Sequence, residues 1–248
     1  MIQKFLLALS FFTRLPIGKR DFGSLTLAQS VIFFPIAGAV IGGMDSAFYI
    51  AMLGLGIPSN ISAWLTIGFH LLLTGGLHED GLADTADGLA SGRDRTQKLA
   101  IMRDSRIGSY GVLALITIIA LRANIIAGFA GSFATIFIFI ATATCSRSFL
   151  TIFMYKISYA RDFGLAVRAG KPNVRQTIIA LSIGILSLFI TGEILAAITA
   201  IFALAIIYVI LKHIFIKNFN GITGDTLGAS QQISEVTLLL IFLIYSHS

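Results

Sequence analysis

The sequence predicts an all-α, polytopic integral membrane protein: a helical bundle of about seven spans with an N-terminal interfacial segment. Hydrophobic residues make up 56% of its 248 positions and charged residues only 12%, at a mean hydropathy of +0.89. An average soluble domain has about 25% charged residues. The sequence shows no strand pattern and no internal repeat. We therefore expect residues 1–248 to form one membrane-embedded domain, and we attribute the net charge of +6 to membrane topology rather than to nucleic-acid binding.

The first element is residues 5–17, which we interpret as an amphipathic segment lying in the interface. Its basic neighbours would sit at the headgroups: Lys4, Arg14, Lys19 and Arg20. A short membrane-inserted loop is the alternative. Seven apolar runs follow and are predicted to span the membrane: residues 31–55, 61–77, 110–130, 133–155, 177–191, 194–211 and 224–245.

Polar and small residues inside these runs predict how the spans pack. Gly38, Gly42 and Gly43 allow close approach of another helix. Arg122 and Arg147 lie mid-span, where a charge costs at least about 2.5 kcal/mol, so we expect each to face the interior. Their partners would be bundle carboxylates in a structural ion pair or anionic substrate groups. His70, also within a span, is more typical of a hydrogen-bonded core residue than of a ligand.

The basic residues predict the orientation. Of the 18 Lys and Arg residues, 16 lie in the N-terminal segment, in residues 93–106 and 156–175, and at Lys212 and Lys217. All of these fall on one side of a seven-span arrangement. The positive-inside rule therefore predicts a protein of the cytoplasmic (inner) membrane with the N-terminus and the polar loops in the cytoplasm.

Residues 75–111 contain six of the twelve acidic residues. In a helix, Asp80, Asp84 and Asp87 stand at i, i+4 and i+7 and fall within an arc of about 60°. Such carboxylates repel each other unless a cation lies among them, and all-oxygen ligands suit Mg²⁺ or Mn²⁺. We expect these three to bind metal, with Glu79 as a further ligand or a support. A solvated loop is the alternative, and the interleaved glycines could divide the helix into two.

A second polar group begins the last span. Asp225, Gly228, Gln232 and Glu235 fall on one helical face, and the glycines before it leave the first N–H groups free to meet phosphate. The stripe could serve only as interhelical glue. We favour one shared site with the acidic stretch, in which Asp225 joins the metal or orients a hydroxyl. Glu235 would contact substrate or hold a buried arginine.

Carboxylate-bound cations beside arginines are typical of phosphate chemistry. Arg103 and Arg106 are spaced i, i+3 and could hold one anion. The residues thus predict metal-assisted phosphoryl or phosphodiester transfer, and no Walker loop indicates ATP hydrolysis. The predicted catalytic residues are Asp84, Asp87 and Asp225, and the predicted substrate-binding residues are Arg93, Arg103, Arg106, Gln232 and Glu235.

Five segments resemble the cobalamin synthase (adenosylcobinamide-GDP ribazoletransferase) family. They are FLLALSFFTRLPIG, FFPIAGAVIG, GGLHEDGLADTADGL, RDSRIGSYGVLAL and GITGDTLGASQQISE, in the family's order and over nearly the full length. The resemblance implies a Mg²⁺-dependent membrane enzyme. It would transfer the adenosylcobinamide-phosphate moiety of adenosylcobinamide-GDP to α-ribazole or α-ribazole 5′-phosphate, releasing GMP. The product would be adenosylcobalamin or its 5′-phosphate. The resemblance leaves a homo-oligomer open.

Two other functions remain as alternatives. Asp84, Asp87 and Gly88, followed by Arg93, look like the opening of the CDP-alcohol phosphotransferase motif, although one extra residue precedes the arginine. A lipid enzyme of that type would perform parallel chemistry. Intramembrane Asp, Glu and Arg residues also suit an ion- or proton-coupled transporter. Against a transporter, the acidic cluster lies at one membrane face and no matching pair of broken helices is evident.

Overall fold

The computed structural model describes residues 1–17, 22–129, 131, 133–161 and 169–246. These residues form helices and no β-strand, apart from one isolated parallel bridge between Tyr159 and Ile222. The predicted all-α bundle is therefore confirmed. Lys19 and Arg20, two of the predicted headgroup residues, and the predicted span end at Ala130 lie outside the described residues.

Ten helices organise the described part of the chain. They are α1 (Ile2–Phe12), α2 (Phe34–Gly54), α3 (Ser59–Thr74), α4 (Leu77–Ser91), α5 (Arg95–Ile101), α6 (Ser109–Gly128), α7 (Phe133–Lys156), α8 (Val174–Leu188), α9 (Ile194–Phe219) and α10 (Gly224–Ser246). Short 3-10 turns, Leu27–Phe33 and Phe189–Thr191, lead into α2 and extend α8. Within the described ranges six segments are long and apolar enough to cross a membrane, or seven if α3 and α4 form one bent span.

The N-terminal segment is an 11-residue helix packed against the bundle. Phe12 of α1 is fully buried, and its ring meets that of Phe34 edge-on at 4.8 Å between centroids. Helix α1 is too short to span a bilayer, which takes about 20 residues. Its buried apolar face therefore belongs to the core of the bundle.

Small residues bring α2 against α7, the most buried helix. A Cβ added at Gly38 would collide with the Ala143 carbonyl, and one at Gly42 with the Phe139 carbonyl. The predicted close packing through these two glycines is confirmed. Gly43 plays no such part, because an added Cβ there would meet open space.

The chain bends by 92° between α3 and α4. Gly75 and Gly76 make the bend, and both have positive φ, 70° and 65°. Side chains with a Cβ rarely adopt this conformation, whereas glycine does so readily. The Arg14 backbone N–H donates to the Leu73 carbonyl at 2.7 Å, so the N-terminal segment supports the end of α3. The bend turns the acidic helix α4 across α10 instead of letting it continue along α3.

The end of the sixth span differs from the prediction, and the acidic stretch agrees with it. The sixth span does not end at residue 211, because α9 continues to Phe219 with Phe215 and Phe219 buried against the bundle. Their burial explains why the helix passes through the basic residues Lys212 and Lys217. The helix expected around Asp80, Asp84 and Asp87 is confirmed: residues 77–91 form a single helix, α4, which its glycines do not divide, and residues 95–101 form α5.

The polar connections meet at one end of the bundle. Arg95 of α5 donates to the carbonyls of Phe219 and Ala160 at 2.8 and 2.6 Å. Lys98 donates to the Asn218 side chain at 2.6 Å. Helix α5 therefore ties the end of α7 to the turn between α9 and α10, at the end of the bundle where α10 begins.

Candidate active site

A cavity of about 310 Å³ lies where α4 crosses the first turns of α10. Asp80 of α4 and Asp225 of α10 are in its wall, together with Tyr159 and Arg161 from the segment after α7. Apolar side chains from α1, α2 and α7 also line it. The cavity therefore joins both predicted polar groups in one space.

Two glycines allow this arrangement. A Cβ added at Gly81 would lie 2.8 Å from the Asp225 carbonyl oxygen and 3.2 Å from the Gly228 Cα. Real Cβ atoms essentially never approach backbone that closely. Helices α4 and α10 thus touch backbone to backbone, and the acidic residues of the two helices become neighbours.

Carboxylates concentrate beside this contact. Asp84 is close enough to interact electrostatically with Asp80, Asp225 and Asp87. Asp80 is exposed, Asp84 is half-buried, and the Asp225 side chain is 26% exposed. Asp80, Asp84 and Asp225, hereafter the acidic triad, are therefore all accessible from outside the core.

Positive groups face the acidic triad. The Arg161 Nη1 lies 3.9 Å from the Asp225 Oδ2, and Arg161 also interacts electrostatically with Asp84. The Arg161 Nε is buried and has no hydrogen-bond partner among the described residues. Arg103 interacts with both Asp225 and Arg161. Two guanidinium groups therefore accompany the carboxylates, and one of them has an unused donor.

The first turn of α10 contributes backbone donors. The Thr223 hydroxyl accepts from the Thr226 N–H at 3.2 Å, and the Thr226 hydroxyl accepts from the Thr223 N–H at 2.8 Å. This reciprocal cap fixes the start of the helix beside the cavity. The N–H groups of Gly224 and Asp225 have no acceptor within the helix, as is general for a first turn. Such a turn favours an anion.

Both carboxylate oxygens of Asp87 are used to cap another helix. One of its carboxylate oxygens accepts from the Gly108 N–H at 2.7 Å and the other from the Gly111 N–H at 2.8 Å. These groups open α6, where a negative charge is favoured. Asp87 is 5% exposed. The structure thus gives this predicted metal ligand the task of joining α4 to the start of α6.

Glu235 lies deep in the bundle and pairs with both buried arginines. Its Oε1 accepts from the Arg122 Nη2 at 2.7 Å and its Oε2 from the Arg147 Nη1 at 3.1 Å. Ser146 and Gln231 donate to the same Oε2. The expected interior pairing of the arginines is confirmed, and Glu235 points into this cluster rather than into the cavity.

Glu79 and Gln232 extend the same buried cluster. The Gln232 amide donates to the Glu79 Oε1 at 3.0 Å, and the Arg122 Nη1 lies 3.7 Å from the same oxygen. The His70 Nδ1 is 2.6 Å from the Asp45 Oδ2. His70 is thus a hydrogen-bonded core residue, as expected. Glu79, predicted to bind or support a metal, links α4 to α10 and α6 inside the core.

The remaining predicted arginines lie on the surface. The Arg106 side chain is 87% exposed and forms a two-pronged bond with Asp104, at 3.0 and 2.7 Å. Hydrogen bonds from Arg106 lower the pKa of Asp104 to about 2. Arg93 is exposed as well. Arg103 interacts with Asp225, whereas Arg106 pairs with Asp104, and a shared anion for the two arginines stays a prediction.

Several cavity residues were not predicted from the sequence, among them Tyr159, Arg161 and Thr223. Arg161 was counted only as part of a basic connection, since nothing in its spacing links it to Asp225, 64 positions later. The bridge between residues 159 and 222 brings them together. Thr223, by contrast, is a helix-capping residue type directly before α10, which the sequence shows.

Known proteins resemble the chain over nearly its whole length. The family described as cobalamin-5-phosphate synthase matches residues 4–243. A protein of Bradyrhizobium diazoefficiens named adenosylcobinamide-GDP ribazoletransferase is 38% identical over 95% of this chain and 91% of its own length. A protein of the same name from Clostridium botulinum is 36% identical over 98% of both chains. A third, from Shewanella pealeana, is 35% identical over 98% of this chain and 95% of its own length.

No solved structure matches the chain. The sequence match is nevertheless continuous from the N-terminal helix to the last span and includes α4, α5 and the start of α10, which carry the acidic triad. The chain belongs to the cobalamin-5-phosphate synthase family.

Proposed function

We propose that the protein transfers the adenosylcobinamide-phosphate moiety of adenosylcobinamide-GDP to α-ribazole or α-ribazole 5′-phosphate, releasing GMP. Its curated relatives are named for this reaction. The observation in the structure that supports it is one cavity lined by Asp80, Asp225, Arg161 and the start of α10, with Asp84 close enough to interact with both aspartates. This is an arrangement for binding a diphosphate and a cation together.

The acidic triad also fits Mg²⁺. Within the described residues no three His, Cys, Asp or Glu side chains form a ready-made metal site. Mg²⁺ does not require one, because it keeps several waters and uses one or two carboxylates together with substrate phosphates. One or two of the carboxylates of Asp80, Asp84 and Asp225 would hold it, and the cation would offset negative charge on the phosphate oxygens.

The chain's own groups bind and orient the donor. The Arg161 guanidinium, with its unused Nε, and Arg103 neutralise the diphosphate from one side. The N–H groups of Gly224 and Asp225 meet it from the first turn of α10. Repulsion between the carboxylates and the phosphates is thereby reduced, and the donor phosphorus is held next to the acidic triad.

The reaction exchanges one phosphorus–oxygen bond for another. A ribazole hydroxyl oxygen bonds to the phosphorus carrying the cobinamide, and the bond from that phosphorus to the bridging oxygen of GMP breaks. In this proposal both α-ribazole and α-ribazole 5′-phosphate are acceptors. The attacking hydroxyl is therefore one that remains free when the 5′ position carries a phosphate. The hydroxyl proton passes to a carboxylate of the acidic triad, and our candidate is Asp84, which is half-buried and interacts with both Asp80 and Asp225.

The site lies on the cytoplasmic side of the inner membrane in this proposal. Basic residues of α5, of the segment after α7 and of the end of α9 gather at the cavity end of the bundle. The positive-inside rule places such an end in the cytoplasm. Labelling of single cysteines near Lys98 and near Glu193 with a membrane-impermeant reagent checks this orientation.

The decisive experiment measures GMP release by the purified protein in lipid nanodiscs, without any gradient. Adenosylcobinamide-GDP and α-ribazole should give GMP and adenosylcobalamin in equal amounts, only when Mg²⁺ is present. A CDP-alcohol donor with a lipid acceptor should give no product. Release of CMP instead of GMP, or no turnover without a gradient, would support the lipid enzyme or the transporter.

A further inference from the structure

The cavity has a second, apolar end that the diphosphate does not use. Its lining there comes from Phe11, Phe34, Leu150 and Met154, on helices α1, α2 and α7. His78 lines the same cavity, together with Tyr159 and the charged residues Asp80, Arg161 and Asp225. A ligand for this cavity therefore has a charged or polar part next to the acidic triad and a compact apolar part next to His78.

The size of the cavity selects among the parts of the substrates. At about 310 Å³ it is at the lower end of small-molecule sites. A corrin macrocycle with its side chains is far larger than this space, so the cobinamide stays outside. A nucleoside base with its ribose is of a size that fits.

The lining then distinguishes between the two nucleoside bases. Guanine has hydrogen-bonding groups along both edges, and each would lose water on entering an apolar space without gaining a partner. Dimethylbenzimidazole has a flat apolar surface and, once attached to ribose, one ring nitrogen that can accept a hydrogen bond. The apolar side chains match the flat surface of the second base, and one imidazole beside them matches its single acceptor nitrogen.

His78 is free to make that hydrogen bond. It is 3% exposed, and its Nδ1 has no hydrogen-bond partner among the described residues. Buried polar atoms are nearly always paired, and His78 is a residue of the cavity wall, so a ligand in the cavity is the candidate for the missing partner. The ring is packed against Phe12, at 5.5 Å between centroids, which limits its rotation.

Aromatic side chains complete the apolar end. Phe11 and Phe34 both line the cavity, and their rings are nearly parallel, 9° apart in orientation with centroids at 6.5 Å. Flat aromatic molecules gain from stacking on such faces beyond the area that they bury. Phe11 is 38% exposed, so its side chain can adjust when a ligand enters.

We infer that the apolar end of the cavity binds the flat base of the acceptor nucleoside, and that His78 recognises the free ring nitrogen of that base. This inference rests on the proposed function for the identity of the acceptor. Bases of the same shape without the nitrogen should then bind less well, and the loss should depend on His78.

Binding is measured by equilibrium dialysis of the protein in nanodiscs, with no donor present. The two probes are α-ribazole and the matching α-riboside of 5,6-dimethylindole, in which a C–H group replaces the ring nitrogen. The wild-type protein should bind the indole riboside about tenfold more weakly, since a buried hydrogen bond is lost. In His78→Leu the two probes should bind equally, and His78→Gln, which retains an N–H donor, should restore part of the preference. His213→Gln on the exposed surface of α9 is the matched control and should behave as wild type.

A second pair of variants tests the aromatic wall without touching the core. Phe11→Leu should weaken binding of both probes severalfold, whereas Phe202→Leu, on the exposed face of α9, should not.

If the wild-type protein binds both probes equally, or binds neither, the inference is wrong, whatever the folding of the variants. The inference would also be overturned if a co-purified lipid chain were the sole occupant of this space and neither probe replaced it. Failure of the proposed function is recognised separately: α-ribazole binds with the expected preference, but adenosylcobinamide-GDP releases no GMP.

Discussion

Gly81 of α4 and Gly228 of α10 face each other so closely that a Cβ on Gly81 would lie 3.2 Å from the Gly228 Cα. This contact places Asp80 and Asp84 next to Asp225, although about 140 positions separate them in the sequence. The acidic triad therefore depends on a packing contact as much as on its own side chains.

Gly81→Ala should separate the two helices and reduce GMP release by at least about tenfold, because the methyl group meets backbone that cannot move aside alone. The measurement is turnover at saturating substrates in nanodiscs. Gly43→Ala is the matched control, since an added Cβ at that position meets open space. Equal activity of the two variants would show that the contact does not set the geometry of the site.

Asp84→Asn and Asp225→Asn should each nearly abolish GMP release while leaving the protein inserted and folded. Each removes a charge from the acidic triad without changing the size of the side chain. The concentration of Mg²⁺ needed for half-maximal residual activity should rise as well. Glu193→Gln, at the start of α9 and exposed, is the control for exchanging a carboxylate for an amide. Wild-type turnover and Mg²⁺ dependence in Asp84→Asn would exclude the metal role.

Asp87→Asn should behave differently from Asp84→Asn. It loses one of two charge-assisted hydrogen bonds to the start of α6, worth about 1.5–3 kcal/mol in general. We expect a lower unfolding temperature and reduced turnover, but an unchanged Mg²⁺ requirement. The Mg²⁺ titration decides between the cap seen here and the metal ligand predicted from the sequence. A shift as large as that of Asp84→Asn would make Asp87 a ligand.

Glu235→Leu should destabilise the bundle strongly. It leaves Arg122 and Arg147 buried with less compensation, and breaking a buried ion pair from one side costs about 3–5 kcal/mol. Unfolding in mixed micelles measures the change, with Glu193→Leu on the surface as control. If Glu235→Leu is as stable as wild type but loses its affinity for a substrate, then Glu235 binds substrate, as the sequence analysis allowed.

The sequence predicted the bundle well because its signals are local. Apolar length defines a span, and the Gly38 and Gly42 spacing defines a packing face, without knowledge of any partner. The end of α9 was missed because Lys212 and Lys217 suggest a loop, whereas the burial of Phe215 and Phe219 depends on tertiary contacts.

The candidate site was likewise predicted only where its signals are local. The helical spacing of Asp80 and Asp84 was visible in the sequence, and so was the likeness of the start of α10 to a phosphate site. The direction in which each side chain points was not. Glu79 and Asp87 are on the same helix as the triad, but one enters the core and the other caps α6. Which face of α4 meets which neighbour depends on the 92° bend at Gly75 and Gly76.

Arg161 gives the last prediction, because the structure alone points to it. Its Nη1 lies 3.9 Å from Asp225 and its Nη2 donates to the Leu99 carbonyl at 3.0 Å, which leaves the Nε for the donor diphosphate. Lysine has the charge but not the planar fork, so Arg161→Lys should raise the KM for adenosylcobinamide-GDP by about tenfold or more and leave the KM for α-ribazole unchanged. Arg175→Lys, exposed at the start of α8, is the control. Arg103→Lys should show the same pattern as Arg161→Lys, and Arg106→Lys a weaker one, since Arg106 pairs with Asp104 at the surface. An equal rise in both KM values for Arg161→Lys would mean that Arg161 positions Asp225 and does not hold the donor phosphates.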